Sequence, residues 1–161
     1  MPTIETSREI AADVETVYAQ ARRVEEFPEY MPDVRSIKVL ERSEDGCRTV
    51  TEWVGVVEQF NQTVRWVEED LWDDELHICR FRQLKGDYSA YDGEWKFTST
   101  DSGTLFESRL HFEYNIPLIG PLIQGLIARL MRSNLENTLK AIAERAESVA
   151  RAERAGEPHG S

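Results

Sequence analysis

The chain has 161 residues, 40% of them hydrophobic, with a formal net charge of −11. That is enough apolar material for one packed core, and too acidic a surface to grip nucleic-acid phosphates or an anionic membrane. A neutral, greasy ligand is not excluded, because it binds by burial rather than by charge.

Two cysteines, Cys47 and Cys79, and three histidines without metal-ligand spacing lead to an expectation of no disulfide, no metal and no cofactor. Residues 1–10 are polar, with Glu5, Arg8 and Glu9 where the apolar core of a leader peptide would lie. The apolar stretch 116–130 is interrupted by Pro117, Gly120, Pro121 and Gly125 and is too short to span a bilayer. The expectation is a cytoplasmic protein with no membrane span and no nucleic-acid partner; monomer and dimer are both left open.

In chain order, loose alternation predicts a strand over 3–11. Asp13 then caps a short helix whose Val14, Val17, Tyr18 and Ala21 fall on one stripe. A second short helix is expected around 24–26, running into Phe27-Pro28-Glu29-Tyr30, where Pro28 and Pro32 prevent continuation. Six strands follow, at about 34–44, 47–59, 62–72, 75–84, 88–100 and 104–115. Between them stand turn residues such as Glu44-Asp45-Gly46, Asp73-Asp74 and Asp101-Ser102-Gly103. No connection is long enough to hold a crossover helix, so the strands form an antiparallel meander. From 118 the period becomes 3.6, with Ile119, Ile123, Leu126, Ile127, Leu130, Leu135, Leu139 and Ile142 on one stripe of a helix expected over 118–150. The domain is expected to span 1–150, with 151–161 a disordered tail.

This order specifies an α+β helix-grip fold: a seven-stranded antiparallel curved sheet wrapped around a long C-terminal helix, with two short helices after strand 1. One helix about 10 Å across cannot fill the concavity of a twisted sheet, so an elongated cavity is expected between them. Strand parity proposes its lining. Tyr91, Gly93, Trp95 and Phe97 share one face, as do Phe106, Ser108, Leu110, Phe112 and Tyr114. The strand 47–59 is ambiguous, since both faces carry apolar groups. If Asp73-Asp74 is a two-residue turn, Trp72 opposes Glu75, Asp70 opposes His77, Glu68 opposes Cys79 and Trp66 opposes Phe81. Arg65, Arg80 and Arg82 then point outward.

The strongest constellation is aromatic: Trp53, Trp66, Phe81, Tyr91, Trp95, Phe112 and Tyr114, facing Leu126, Ile127, Leu130 and Met131 of the helix. Glu68, Asp70 and His77 form the candidate acid–base cluster, with Tyr91 as a further proton-bearing group. The competing reading of Glu68 to Glu75 is a solvated acidic hairpin paired by Arg80 and Arg82. Nothing supports nucleophilic or nucleotide chemistry. Pro117-Leu118-Ile119-Gly120-Pro121 opens the long helix, as a turn and as an apolar lid.

Val14-x-x-Val17-Tyr18 with Phe27-Pro28-Glu29-Tyr30 resembles the START-like (SRPBCC) superfamily. Gly86-Asp87-Tyr88, the run Tyr91-x-Gly93-x-Trp95-x-Phe97 and the Pro117–Pro121 segment strengthen the likeness, nearest to the polyketide cyclase/dehydrase and coenzyme-Q-binding branch. The resemblance implies a helix-grip fold and a cavity for lipids, quinones or polyketides. In aromatase/cyclase members aromatics clamp the substrate, and by motif these map to Phe27, Tyr30, Trp66, Tyr91 and Trp95. Such cyclases also place an arginine in the pocket, and here no arginine falls inward. The leading expectation is a carrier of a hydrophobic molecule. The alternative is a polyketide cyclase/dehydrase that folds and dehydrates a poly-β-ketone. A ribosome-associating, toxin-like relative is disfavoured by the charge.

Overall fold

The protein is described by a computed structural model covering residues 3–57, 62–114 and 121–156, with side chains of the final helix from residue 125. Its elements are β1 (Thr3–Ile10), α1 (Val14–Arg22), a 3-10 turn (Val24–Glu26), α2 (Phe27–Tyr30), β2 (Val34–Arg42), β3 (Arg48–Val57), β4 (Gln62–Asp73), β5 (Ile78–Gly86), β6 (Ala90–Thr100), β7 (Gly103–Glu113) and α3 (Pro121–Gly156). Asp13 caps α1 as expected, its carboxylate accepting the Thr16 N–H at 2.8 Å.

The seven strands form one antiparallel sheet in the order β1-β7-β6-β5-β4-β3-β2. The meander runs from β2 to β7, and β1 returns to pair with β7 through Ile4↔Leu110 and Ile10↔Thr104. α3 packs on β1 and α1. Its buried stripe is Leu139, Ile142, Ala143 and Ala146, and the two alanines let the backbone of α3 approach closely. Arg145 fixes the helix laterally, reaching Glu26 at 2.7 Å and lying over the Tyr30 ring. The Ala11 N–H donates to Glu147 at 2.9 Å.

Two expectations are corrected. α3 continues through Gly156, into the span expected as a tail from 151. Ala152, Glu153, Arg154 and Ala155 are good helix formers, and nothing before Gly156 interrupts them. The hairpin after β4 turns over four residues, 74–77, so Trp72 pairs with Cys79 and Asp70 with Phe81. The cause is local: the Asp73 carboxylate accepts the N–H groups of Glu75 and Leu76, at 3.0 and 2.9 Å, and His77 takes a positive φ. A bulge between Val67 and Glu68 then brings Trp66 opposite Gly86. The partner of Trp72 moves from Glu75 to Cys79, an even shift, so no residue changes face. Glu68, Asp70, Cys79 and Phe81 face inward, and Arg65, Arg80 and Arg82 are exposed.

The ambiguous strand is resolved as β3, with Thr49, Thr51 and Trp53 turned to the concave side, where the two threonines meet Asp70 and Trp53 lines the cavity. Val50 and Val54 are nonetheless buried on the opposite face, which is why the pattern is mixed. At Gly93, opposite Phe81 in the ladder, a Cβ would collide with the Arg109 carbonyl oxygen and come within 2.7 Å of the Phe81 ring. Gly93→Ala is therefore expected to lower stability by about 3 kcal/mol in urea unfolding, since backbone must move. A loss under about 1 kcal/mol would show that the strand yields freely.

Candidate ligand-binding cavity

A cavity of about 120 Å³ lies between the concave face of the sheet and α3. The chain has four tryptophans, and all of them (Trp53, Trp66, Trp72 and Trp95) line it, with Phe81, Tyr88 and Tyr91. Trp53 and Trp66 are cross-strand partners in β3 and β4 and stack at 5.6 Å between ring centres, 14° from parallel. Tyr91 leans on both Trp66, at 5.4 Å, and Phe81, at 5.7 Å. The helix contributes Met131, Asn134, Leu135 and Thr138.

A hydrogen-bonded polar network enters this aromatic box from β3 and β4. The Trp53 indole N–H donates to Thr51 at 2.8 Å, and the Thr51 hydroxyl donates to Asp70 at 2.9 Å. Thr49 also donates to Asp70, more weakly, at 3.3 Å. The Trp66 indole N–H donates to Glu68 at 2.8 Å, and the Glu68 and Asp70 carboxyls hydrogen-bond to each other. Both carboxyls are almost wholly buried, Glu68 at 4% exposure and Asp70 at 3%.

Desolvation, followed by the negative charge of Asp70, holds the Glu68 carboxyl well above the usual carboxylate range. Burial raises Asp70 as well, but the donated hydrogen bonds from Glu68, Thr51 and Thr49 oppose that rise. Both carboxyls are thus raised, Glu68 the more strongly, and the hydrogen bonds donated to Asp70 make it the better acceptor of the pair. Burial likewise pushes the Tyr91 hydroxyl and the Cys79 thiol up, with Glu68 and Asp70 adding to both. Burial most of all lifts Tyr30, to about 12.

Below Trp72 a second polar cluster closes the structure. Tyr18 and Arg22 both donate to Asp74, each at 2.7 Å, and the Arg22 guanidinium lies 5.4 Å over the Trp72 ring. Among the described residues no group of three His, Cys, Asp or Glu side chains converges to hold a metal.

Of the sequence-predicted lining, Trp53, Trp66, Phe81, Tyr91, Trp95 and Met131 border the cavity. Phe27 is fully buried behind it, packed edge-on against Tyr30 and Trp53, and Tyr30 lies under Arg145. Phe112 and Tyr114 sit behind Tyr88, touching it edge-on. Leu126, Ile127 and Leu130 are half-buried on α3 but do not border the cavity.

The candidate acid–base cluster is divided. Glu68 and Asp70 border the cavity, whereas His77 bonds Glu15 at 2.8 Å and packs on Tyr18, outside the lining. The solvated-hairpin reading holds for Glu69, which faces outward to Arg48 and Arg82 at 2.8 and 3.1 Å. Sequence reasoning missed Asn134 and Thr138, polar residues one turn apart on the face of α3 that otherwise carries Met131 and Leu135. Pro117-Leu118-Ile119-Gly120, proposed as a lid, lies outside the described residues. Among the described residues no helix is long and apolar enough to cross a membrane.

Comparison with known proteins agrees with this geometry. A solved structure from Thermus thermophilus, TTHA0849, is 36% identical, with a TM-score of 0.86 over 92% of this chain and 99% of that one. The Zhui aromatase/cyclase from Streptomyces sp. R1128 superposes with a TM-score of 0.80 at 16% identity, over 98% of this chain and 99% of that one. A START superfamily protein from Mycobacterium smegmatis gives 0.76 at 21% identity, covering 91% and 98% of the two chains. At such identities these last two show the fold alone. No curated protein matches the sequence. The family described as polyketide cyclase/dehydrase and lipid transport matches residues 10–139, from the end of β1 to the buried stripe of α3. The match over most of the chain places it in that family, and its architecture is the START-like helix-grip fold.

Proposed function

We propose that the chain binds a hydrophobic, ring-bearing small molecule (a polyketide, quinone or lipid-like compound) in the cavity between sheet and α3, as a carrier. The observation that supports this most is the aromatic box itself, with the four tryptophans of the chain on its walls. A folded protein gains little from leaving flat apolar faces around a void, whereas a ring that fills it regains the missing contacts. The volume of about 120 Å³ suits one ring system; a longer chain would need side chains such as Met131 to move.

A second reading, a cyclase or dehydrase acting on a poly-β-ketone, is favoured by one observation. The carboxyls of Glu68 and Asp70, both raised chiefly by burial, lie with Tyr91 on the cavity lining and offer proton-bearing groups for such chemistry. Adding the protein to a nascent poly-β-ketone thioester should change which cyclised products form; unchanged spontaneous products would remove this reading.

The carrier is tested by native mass spectrometry of freshly purified protein and by titration of tryptophan fluorescence with a naphthoquinone. A retained small molecule, or saturable quenching, is expected because all the tryptophans border the cavity. An empty protein that no quinone, lipid or aromatic compound quenches would rule it out.

A further inference from the structure

We infer that the ligand carries an organic cation, a protonated amine or its equivalent, seated against the Glu68–Asp70 pair inside the aromatic box. The inference rests on the cavity being a ligand site and names the chemistry that the site selects.

Three independent features converge on it. First, the pair is buried and is paired with no Lys, Arg or His among the described residues: its bonds come from Trp66, Thr49, Thr51 and from within the pair. The nearby Arg22 lies over Trp72 and is committed to Asp74. A negative charge desolvated without a counter-charge is unfavourable, and a cation in the cavity removes that penalty while gaining the attraction. Second, the walls around the pair are the rings of Trp53, Trp66, Phe81 and Tyr91. Ring faces are the negative side of an aromatic quadrupole, so they favour a cation and disfavour an anion. Third, the net charge of −11 gives the molecule a negative field that enriches cations and repels acids.

The Cys79 thiol, 2% exposed, borders the same cavity with no hydrogen-bond partner among the described residues. The Tyr91 hydroxyl is also without a partner among the described residues. An ammonium N–H needs acceptors beyond one carboxylate, and both groups can accept. No arginine, lysine or histidine borders the cavity among the described residues, so no cationic side chain there would pair with a carboxylate or phosphate head.

The test is a titration of the wild-type protein with naphthylmethylamine, naphthylmethanol and naphthoate, three probes that share a ring and differ in one group. The amine is expected to bind at least about tenfold more tightly than the alcohol, and the naphthoate most weakly. In Asp70→Asn the amine-to-alcohol ratio should fall towards one, with near-ultraviolet circular dichroism reporting that the cavity is still folded. Should that variant not fold, the wild-type series decides alone. An alcohol or naphthoate that binds as tightly as the amine overturns the cation while leaving the ligand site standing. A ratio that survives in folded Asp70→Asn also overturns it. Failure of all three probes to bind removes the ligand site and the cation together.

Discussion

Glu68→Gln is expected to make the protein more stable at neutral and mildly alkaline pH, by on the order of 2 kcal/mol, and to flatten its pH dependence. Gln keeps the shape of the protonated acid: its carbonyl accepts the Trp66 N–H and its amide N–H donates to Asp70. It cannot ionise. In the wild type the folded Glu68 is raised well above its ordinary value of 4.5, chiefly by desolvation. The folded state therefore holds this proton more tightly than the unfolded chain. Stability from this group is fully present below about 4.5, and is lost as pH rises from there through the folded value. Asp70, raised from 3.8 mainly by desolvation, contributes with the same sign. Melting temperatures of the two proteins across a pH series provide the measurement. A variant that is less stable at neutral pH, with an unchanged slope, would mean that Glu68 is ionised and held by something other than Asp70.

Trp66→Ala should be the most damaging single change in the cavity wall, costing about 4 kcal/mol in denaturant unfolding. Trp66 is 9% exposed, stacks on Trp53 and contacts Tyr88 and Tyr91, and its indole N–H is bonded to Glu68. Truncation removes both the packing and that hydrogen bond. Trp66→Phe separates the two effects, since a ring remains and only the N–H disappears; its cost should be about 1.5 kcal/mol. The same substitution should push Glu68 further up, because the Trp66 hydrogen bond is the influence that lowers it. Equal losses in the two variants would show that the hydrogen bond matters and the stacking does not. For function, Trp66→Ala should abolish quenching of the remaining tryptophans by a bound ring.

Periodicity and turn chemistry carry the element order, because both are local. The alternation in β6 and β7, the cap at Asp13 and the stripe ending in Leu139 and Ile142 each declare their element within a few residues. They also give the face on which Trp66, Glu68, Phe81, Tyr91 and Trp95 lie. The hairpin register differs from that of a two-residue turn, but an even shift preserves parity. What a local pattern cannot register is depth and neighbourhood. Glu68, Glu69 and Asp70 stand side by side in one acidic run, yet Glu69 meets Arg48 and Arg82 outside while its neighbours are enclosed. Only the curvature of the sheet around α3 decides which acids lose water, and desolvation raises the Glu68 carboxyl well above the usual carboxylate range.

Tertiary structure also chose which aromatics reach the cavity. Phe27, Phe112 and Tyr30 have the same residue chemistry as the lining but sit one layer behind it, because a void has room for only the innermost rings. His77, adjacent in sequence to the hairpin acids, is carried out of the site by a turn four residues wide. The sequence by itself determined the sheet, the gripping helix and an aromatic concave face, because side-chain period follows from backbone geometry. The outward turn of Arg65, Arg80 and Arg82 already followed from strand parity, but enclosure of the Glu68–Asp70 pair was decided only by packing between segments distant in the chain, which no local pattern encodes.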